Sequence, residues 1–136
     1  MTRVMLKYAY NKISMSSHAE WTIVFYIEDN GGNPVDDFLS RLNARTKAKF
    51  DWAIAQLQVR NITPREPLVK HIEGKLYELR VESQTNIFRL LYFFAAGRRI
   101  EFLHEFQKKT QKTPGREIAM AVKRMDRFSE REGGES

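Results

Sequence analysis

Residues 76–114, LYELRVESQTNIFRLLYFFAAGRRIEFLHEFQKKTQKTP, leave the chain few ways to fold. Leu76 to Val81, Phe88 to Ala95 and Ile100 to Phe106 are rich in aromatic and β-branched residues. Ser83-Gln84-Thr85-Asn86 separates the first two and Gly97 the last two. Short polar or glycine-containing links between such runs predict an antiparallel three-stranded meander. Within it Arg89 stands among Phe88, Leu90, Leu91, Tyr92, Phe93 and Phe94. Strand alternation places Arg89 on the face of Leu91 and Phe93. A guanidinium keeps its charge there, so it needs a carboxylate, a backbone partner or a polyanion.

The rest of the chain supplies what covers this sheet. Residues 1–20 lack periodicity and form a poorly defined extension, in which Met15 is an alternative start to Met1. Trp21 to Glu28, WTIVFYIE, predicts a further strand. Asn33-Pro34 opens a helix as N-cap and first helical residue, with Asp36 and Asp37 near its positive end. Val35, Phe38, Leu39 and Leu42 make its apolar face. A second helix, roughly Ala44 to Val59, turns Phe50, Ala53, Ile54 and Leu57 inward. Arg60 to Glu73 reads as a loop carrying Lys70 and His71. Thr113-Pro114 reads as the N-cap and first residue of a last helix with Ile118, Ala121, Val122 and Met125 as its stripe. Residues from Ser129 on look frayed.

The expectation is one α+β domain over residues 21–128, with residues 129–136 a disordered tail. Its small antiparallel sheet, the N-terminal strand plus the meander, is covered by an N-terminal helical hairpin, with a C-terminal helix and helices against one face.

Composition removes several functions. With no cysteine in 136 residues, disulfides, thiolate metal sites and cysteine nucleophiles are excluded. His18, His71 and His104 lack metal-ligand spacing, and no phosphate-binding glycine loop occurs. No cofactor or metal is expected. No apolar run is long enough for a membrane span and no secretory pattern opens the chain, which fits a cytoplasmic protein. The net charge is +6, and Glu105 to Arg131 holds eight basic residues against four acidic ones. That asymmetry suits a polyanion or an acidic protein, or else a solvated basic helix face.

What remains for chemistry is a set of cations: Lys70, Arg80, Arg89, Lys108, Lys109 and Lys112, with His104 nearby. Each has a plainer reading. Lys70 fits a solvated loop lysine, and His104, alternating with Phe102 and Phe106, fits a hydrogen-bonded core histidine. Arg80 fits an ion pair with Glu78 or Glu101. The three lysines fit either a solvated loop or a phosphate funnel. Arg89 has the weakest such alternative.

The order WTIVFY, NPVDDFL, LYELR, FRLLYFF, FLHEFQKKTQKTP resembles the phage-derived, toxin-like proteins of the RelE/HigB superfamily, over about Trp21 to Phe128. Tyr77 stands where those proteins commonly have tryptophan, and Glu105 where glycine is usual. The resemblance implies the toxin of a type II toxin–antitoxin pair, a metal-independent endoribonuclease that cuts mRNA on the ribosome. The RNA 2′-hydroxyl would be the nucleophile, leaving a 2′,3′-cyclic phosphate and a 5′-hydroxyl. Carried over, Arg89 holds the scissile phosphate, Arg80 is a second clamp, Lys70 the general base and Lys109 the general acid. His71, His104, Lys108 and Lys112 would then bind RNA. The resemblance also implies that Arg89→Ala abolishes cleavage with the fold intact. The reading has a structural condition: Arg89 must not be neutralised by an internal acid and turned away from the lysine-bearing loop. A helix-turn-helix antitoxin is the implied partner, laid against the basic groove or the helical hairpin. The alternative is a non-nuclease protein of the same fold, a ParE-like gyrase inhibitor or an inactive antitoxin-binding module.

Overall fold

A computed structural model describes residues 21–60, 68–107 and 112–133. The elements are β1 (Thr22–Phe25), α1 (Pro34–Ser40), α2 (Ala44–Arg60), β2 (Val69–Glu73), β3 (Leu76–Ser83), β4 (Asn86–Ala95), β5 (Arg99–Gln107) and α3 (Gly115–Gly133). The five strands form one sheet in the order β1-β5-β4-β3-β2. The meander forms as expected: β3 pairs antiparallel with β4, and β4 with β5. Ser83 opposite Asn86 leaves Gln84 and Thr85 as the turn, and Gln84 takes a positive φ of 60°.

Three expectations change. β1 runs parallel to β5, so the sheet is mixed, not antiparallel. Residues 69–73, expected in a loop, form the edge strand β2 against β3. Finally, helices cover both faces. Ile23, Phe25, Leu39, Phe50, Ile54, Leu79, Leu90, Tyr92 and Phe102 pack together between the sheet and the α1–α2 hairpin. Leu76, Leu91, Phe93, Leu103 and Phe106 pack with Ala121 and Phe128 of α3 on the other side. A strand that is apolar on both faces, as β4 is, requires cover on both.

The helices follow their sequence signals. Asn33 caps α1, its Oδ1 accepting from Asp36 N at 3.3 Å. All four inward residues expected of α2 are buried. Each large one contributes about 1.5–3 kcal/mol of transfer free energy. α3 differs at both ends. Its helix starts at Gly115, and the Thr113 hydroxyl donates into the sheet instead of capping it. At the far end α3 continues through Ser129 to Gly133. Arg131 there donates to Ile27 O at 2.8 Å, and Glu132 accepts from Arg99 at 3.0 Å. Those ties order residues whose composition alone suggests fraying.

Candidate functional site

The α3-facing side of the sheet gathers most of the predicted cations, because strand register sets which side chains are neighbours. Lys70 lies opposite Glu78, Glu78 opposite Leu91, and Leu91 opposite His104, one row across four strands. Arg80 opposite Arg89 begins the next row.

Arg89 is the largest fully buried side chain in the described protein. Its Nη1 donates to Glu78 Oε1 at 2.8 Å, and each side chain of the pair is 1% exposed. Thr113 Oγ1 donates to the other carboxylate oxygen, Glu78 Oε2, at 2.6 Å. Arg89 is therefore not a solvent-facing phosphate ligand, which corrects the role expected of it. The first half of the structural condition fails, since an internal acid neutralises Arg89. The second half concerns a loop whose Lys108 and Lys109 lie outside the described residues; within them, Glu78 links the ion pair to Thr113, the residue after Lys112. Lys112 is exposed.

Arg80 is half-buried, and its Nε is buried with no hydrogen-bond partner among the described residues. The ion pair expected for it belongs to Arg89 instead. Lys70 is an exposed strand residue rather than a loop residue. His71 does not join the group. It sits opposite Tyr77, its ring 5.1 Å from that ring, and its Nε2 meets Gly74 O at 2.8 Å across the β2–β3 turn.

His104 takes the plainer of its two expected roles. A bulge makes Leu91 and Tyr92 pair with His104 and Phe102, leaving Leu103 as the extra residue. Both Leu103 and His104 consequently meet α3. The ring Nε2 lies 2.6 Å from Glu117 Oε1, and Arg124 Nη1 lies 3.3 Å from Nδ1. A neutral imidazole with its proton on Nε2 satisfies both contacts. Burial is the main cause that lowers its pKa from 6.5, against the opposing pull of Glu117. With both nitrogens engaged, His104 fastens α3 to β5 and is not an open RNA contact.

The basic C-terminal quarter is also less available than its composition suggests. Arg124 Nη2 donates to Glu28 at 2.9 Å and Nη1 to Leu103 O at 2.8 Å. Arg127 and Arg131 both bind Asp29, at 3.0 and 2.6 Å. Those two arginines hold the Asp29 carboxyl below its ordinary range. Three of the cations read as an excess are thus spent on docking α3 to the end of β1. No short-range sequence signal links Glu28 and Asp29 to a helix so far along the chain.

Glu105, the departure from glycine, is half-buried on β5, and burial pushes its pKa from 4.5 up to about 7 against the pull of Arg41 and Arg124. It therefore carries only part of a negative charge near neutral pH and barely offsets the cations around it. The folded state holds the Glu105 proton up to about pH 7, while the unfolded chain releases it near 4.5. Its contribution to stability therefore falls as pH rises through that window. His104 acts oppositely: its depressed pKa costs stability as pH falls below 6.5. We expect Glu105→Gln to stabilise the fold at pH 8 by on the order of 1 kcal/mol after solvent screening, seen as a higher melting temperature, and to change little at pH 5. Thermal unfolding at the two pH values checks this; an equal shift at both removes the titration from the account.

Fold and site together define a small α+β domain with a two-sided mixed sheet and a cation-bearing face built around a buried Arg89–Glu78 ion pair that Thr113 joins. The chain belongs to the family described as phage derived protein Gp49-like (DUF891), which matches residues 37–126, the larger part of its length. That family is associated with toxin–antitoxin systems. No curated protein matches the chain. Among the described residues no helix is long and apolar enough to cross a membrane.

Proposed function

We propose that this protein is the toxin of a type II toxin–antitoxin pair, of the RelE/HigB kind, and that it cuts mRNA on the ribosome without a metal. The observation that carries this reading is Arg80: a half-buried guanidinium whose Nε is buried with no hydrogen-bond partner among the described residues, opposite a second arginine on β4. A buried donor left unmet is costly, and an anion bound there relieves it. A phosphodiester is an anion whose oxygens match the guanidinium fork.

In the reaction the 2′-oxygen attacks phosphorus, its proton passes to a base, and the 5′-oxygen leaves with a proton from an acid. Lys70 is the proton acceptor in this reading, Lys109 the donor, and Arg80 with Lys108 and Lys112 stabilises the crowded phosphorane. Arg89 acts behind them, through Glu78 and Thr113. Its burial supports the non-nuclease alternative only if Arg89 were the sole phosphate ligand. A helix-turn-helix antitoxin is the proposed partner.

The test is incubation with ribosomes and a translated message, with chelator present. Fragments ending in 2′,3′-cyclic phosphate are expected. Intact message together with arrested DNA supercoiling by gyrase would transfer the protein to the alternative class.

A further inference from the structure

Trp52 on α2 belongs neither to the core nor to the row of cations described above. It is 60% exposed, and it is the only exposed phenylalanine, tyrosine or tryptophan ring among the described residues. It lines a groove of about 390 Å³ together with Lys49, Ala53, Arg80, Val81 and Glu82, among others. That volume falls within the range of small-molecule sites, roughly 300–1,000 Å³. Ala53 and Val81 are both buried in the core, so the groove is a rigid feature of the fold. It lies at an edge of the sheet. β2 pairs with β3 only as far as Leu79, Arg80 N donates to Leu68 O at 2.8 Å, and Val81 to Ser83 continue past β2. Arg80, whose row faces α3, thereby also reaches a groove that α2 helps to wall. The cation proposed to grip the scissile phosphate and an open indole ring line one site.

Such a pairing suits an unpaired nucleotide, whose base stacks on the ring while its phosphates meet the cations. Lys49 Nζ donates to the carbonyl of Glu82 at 3.2 Å, which holds the ammonium at the groove without neutralising it. Glu82 adds an acid to the lining. A carboxylate repels phosphate, so it favours a neutral base at that wall, and it accepts from paired N–H donors. Guanine offers two donor groups side by side on its Watson–Crick edge, N1–H and the N2 amino group. Adenine, cytosine and uracil each set a single donor group beside an acceptor, which a carboxylate repels. We propose that this groove is the subsite for a nucleobase next to the scissile phosphate, stacked on Trp52 with Arg80 and Lys49 on its phosphates, and that Glu82 makes guanine the preferred base. The inference rests on the RNA-cleaving reading for what enters the groove, and adds a base contact that gripping a phosphate does not require.

The chain has two tryptophans, so Trp21→Phe makes Trp52 the only indole reporter. The probes are single-stranded pentamers of 2′-O-methyl RNA, which lack the attacking hydroxyl and stay intact. Their sequences are UUGUU, UUUUU, and UUGUU with its central base removed. Saturable quenching of Trp52 emission is expected, tightest with UUGUU and about tenfold weaker with the other two. Glu82→Gln is expected to bring UUGUU and UUUUU to the same affinity, a loss of preference that a merely structural role would not produce. Labelled UUGUU is expected to bind Trp52→Ala about tenfold more weakly. Trp52 and Glu82 are both exposed, and circular dichroism verifies that each variant folds. Absence of quenching, or equal affinity for UUGUU and its abasic counterpart, would overturn the subsite, while cleavage of a message on ribosomes by the same protein would leave the nuclease reading standing. Quenching that prefers UUGUU, beside a message left uncut, would support the subsite and remove the nuclease reading. Self-association that Trp52→Ala abolishes would make the ring a contact between copies and would overturn the proposal.

Discussion

Replacing Arg89 by alanine is expected to destabilise this protein strongly, so that lost RNA cleavage by the variant would not by itself report on chemistry. The change strips Glu78 of its counter-ion, with one carboxylate oxygen still bonded to Thr113 and the other facing the cavity left by the largest fully buried side chain. Breaking a buried pair by removing one partner costs about 3–5 kcal/mol, because the surviving charge is neither solvated nor paired. Against a total stability of about 5–15 kcal/mol for an ordinary domain, that is a large part of the margin. A drop in melting temperature of about 10–20 °C follows for a chain of this length. This reverses the expectation that Arg89→Ala abolishes cleavage with the fold intact. The double variant Arg89→Met, Glu78→Leu separates the two effects. Two apolar side chains of similar volume replace the pair at little net cost, about 1–2 kcal/mol in either direction. Thr113 nevertheless loses its acceptor, so the lysine loop loses its anchor. The double variant is expected to melt near the parent and to cleave poorly. An Arg89→Ala protein that melts within a few degrees of the parent would show that the ion pair is not structural.

How much of this was readable from the sequence depends on the range of each interaction. The meander was legible because period-two patterning and turn residues are local, and each strand announced itself within ten residues. β2 was not, because VKHIE at a sheet edge buries only Val69 and Ile72 to any extent. A strand solvated along most of its length carries little apolar pattern. That Arg89 required a partner followed from its neighbours alone. Which acid served followed only from register: Glu78 sits on the same face one strand away, and a slip of one residue would have turned it to the other side.

Thr113 shows the same limit from the other side. Its place before a proline and an amphipathic run is that of an N-cap, and only the packed structure shows its hydroxyl committed to a residue 35 positions earlier. The basic tail misled for a related reason. Arg124, Arg127 and Arg131 look like excess charge until the fold brings Glu28 and Asp29 against α3. Composition counts charges but does not show which ones folding has already matched. The cations without a salt bridge among the described residues, Lys70 and Arg80 on the sheet among them, are thus better guides to function than the total.

Arg80 supplies the sharpest discrimination between a structural and a functional cation, because the two roles predict opposite signs for stability. Its Nε is buried without a hydrogen-bond partner among the described residues, and Arg89 stands opposite it on β4. A buried donor without a partner costs about 1–3 kcal/mol, and a like-charged cross-strand neighbour adds to that. Removing the guanidinium should therefore leave the melting temperature unchanged or raise it. Shortening the stem to alanine forfeits some packing, so Arg80→Met, which keeps most of the stem, is the cleaner variant. In the RNA-cleaving reading the same group grips charge that develops on the phosphorane, where loss of one fixed donor lowers the rate by about 10²–10³-fold. Arg80→Met is accordingly expected to be at least as stable as the parent and to cleave two to three orders of magnitude more slowly (roughly 3–4 kcal/mol of transition-state stabilisation). Lysine at this position restores the charge without the fork and should recover only part of the rate. Strain kept at a site that stabilises nothing in the free protein is what a binding function leaves behind. A variant that melts lower and cleaves as fast as the parent would make Arg80 a packing residue, and the phosphate-gripping site would have to be sought elsewhere on the chain.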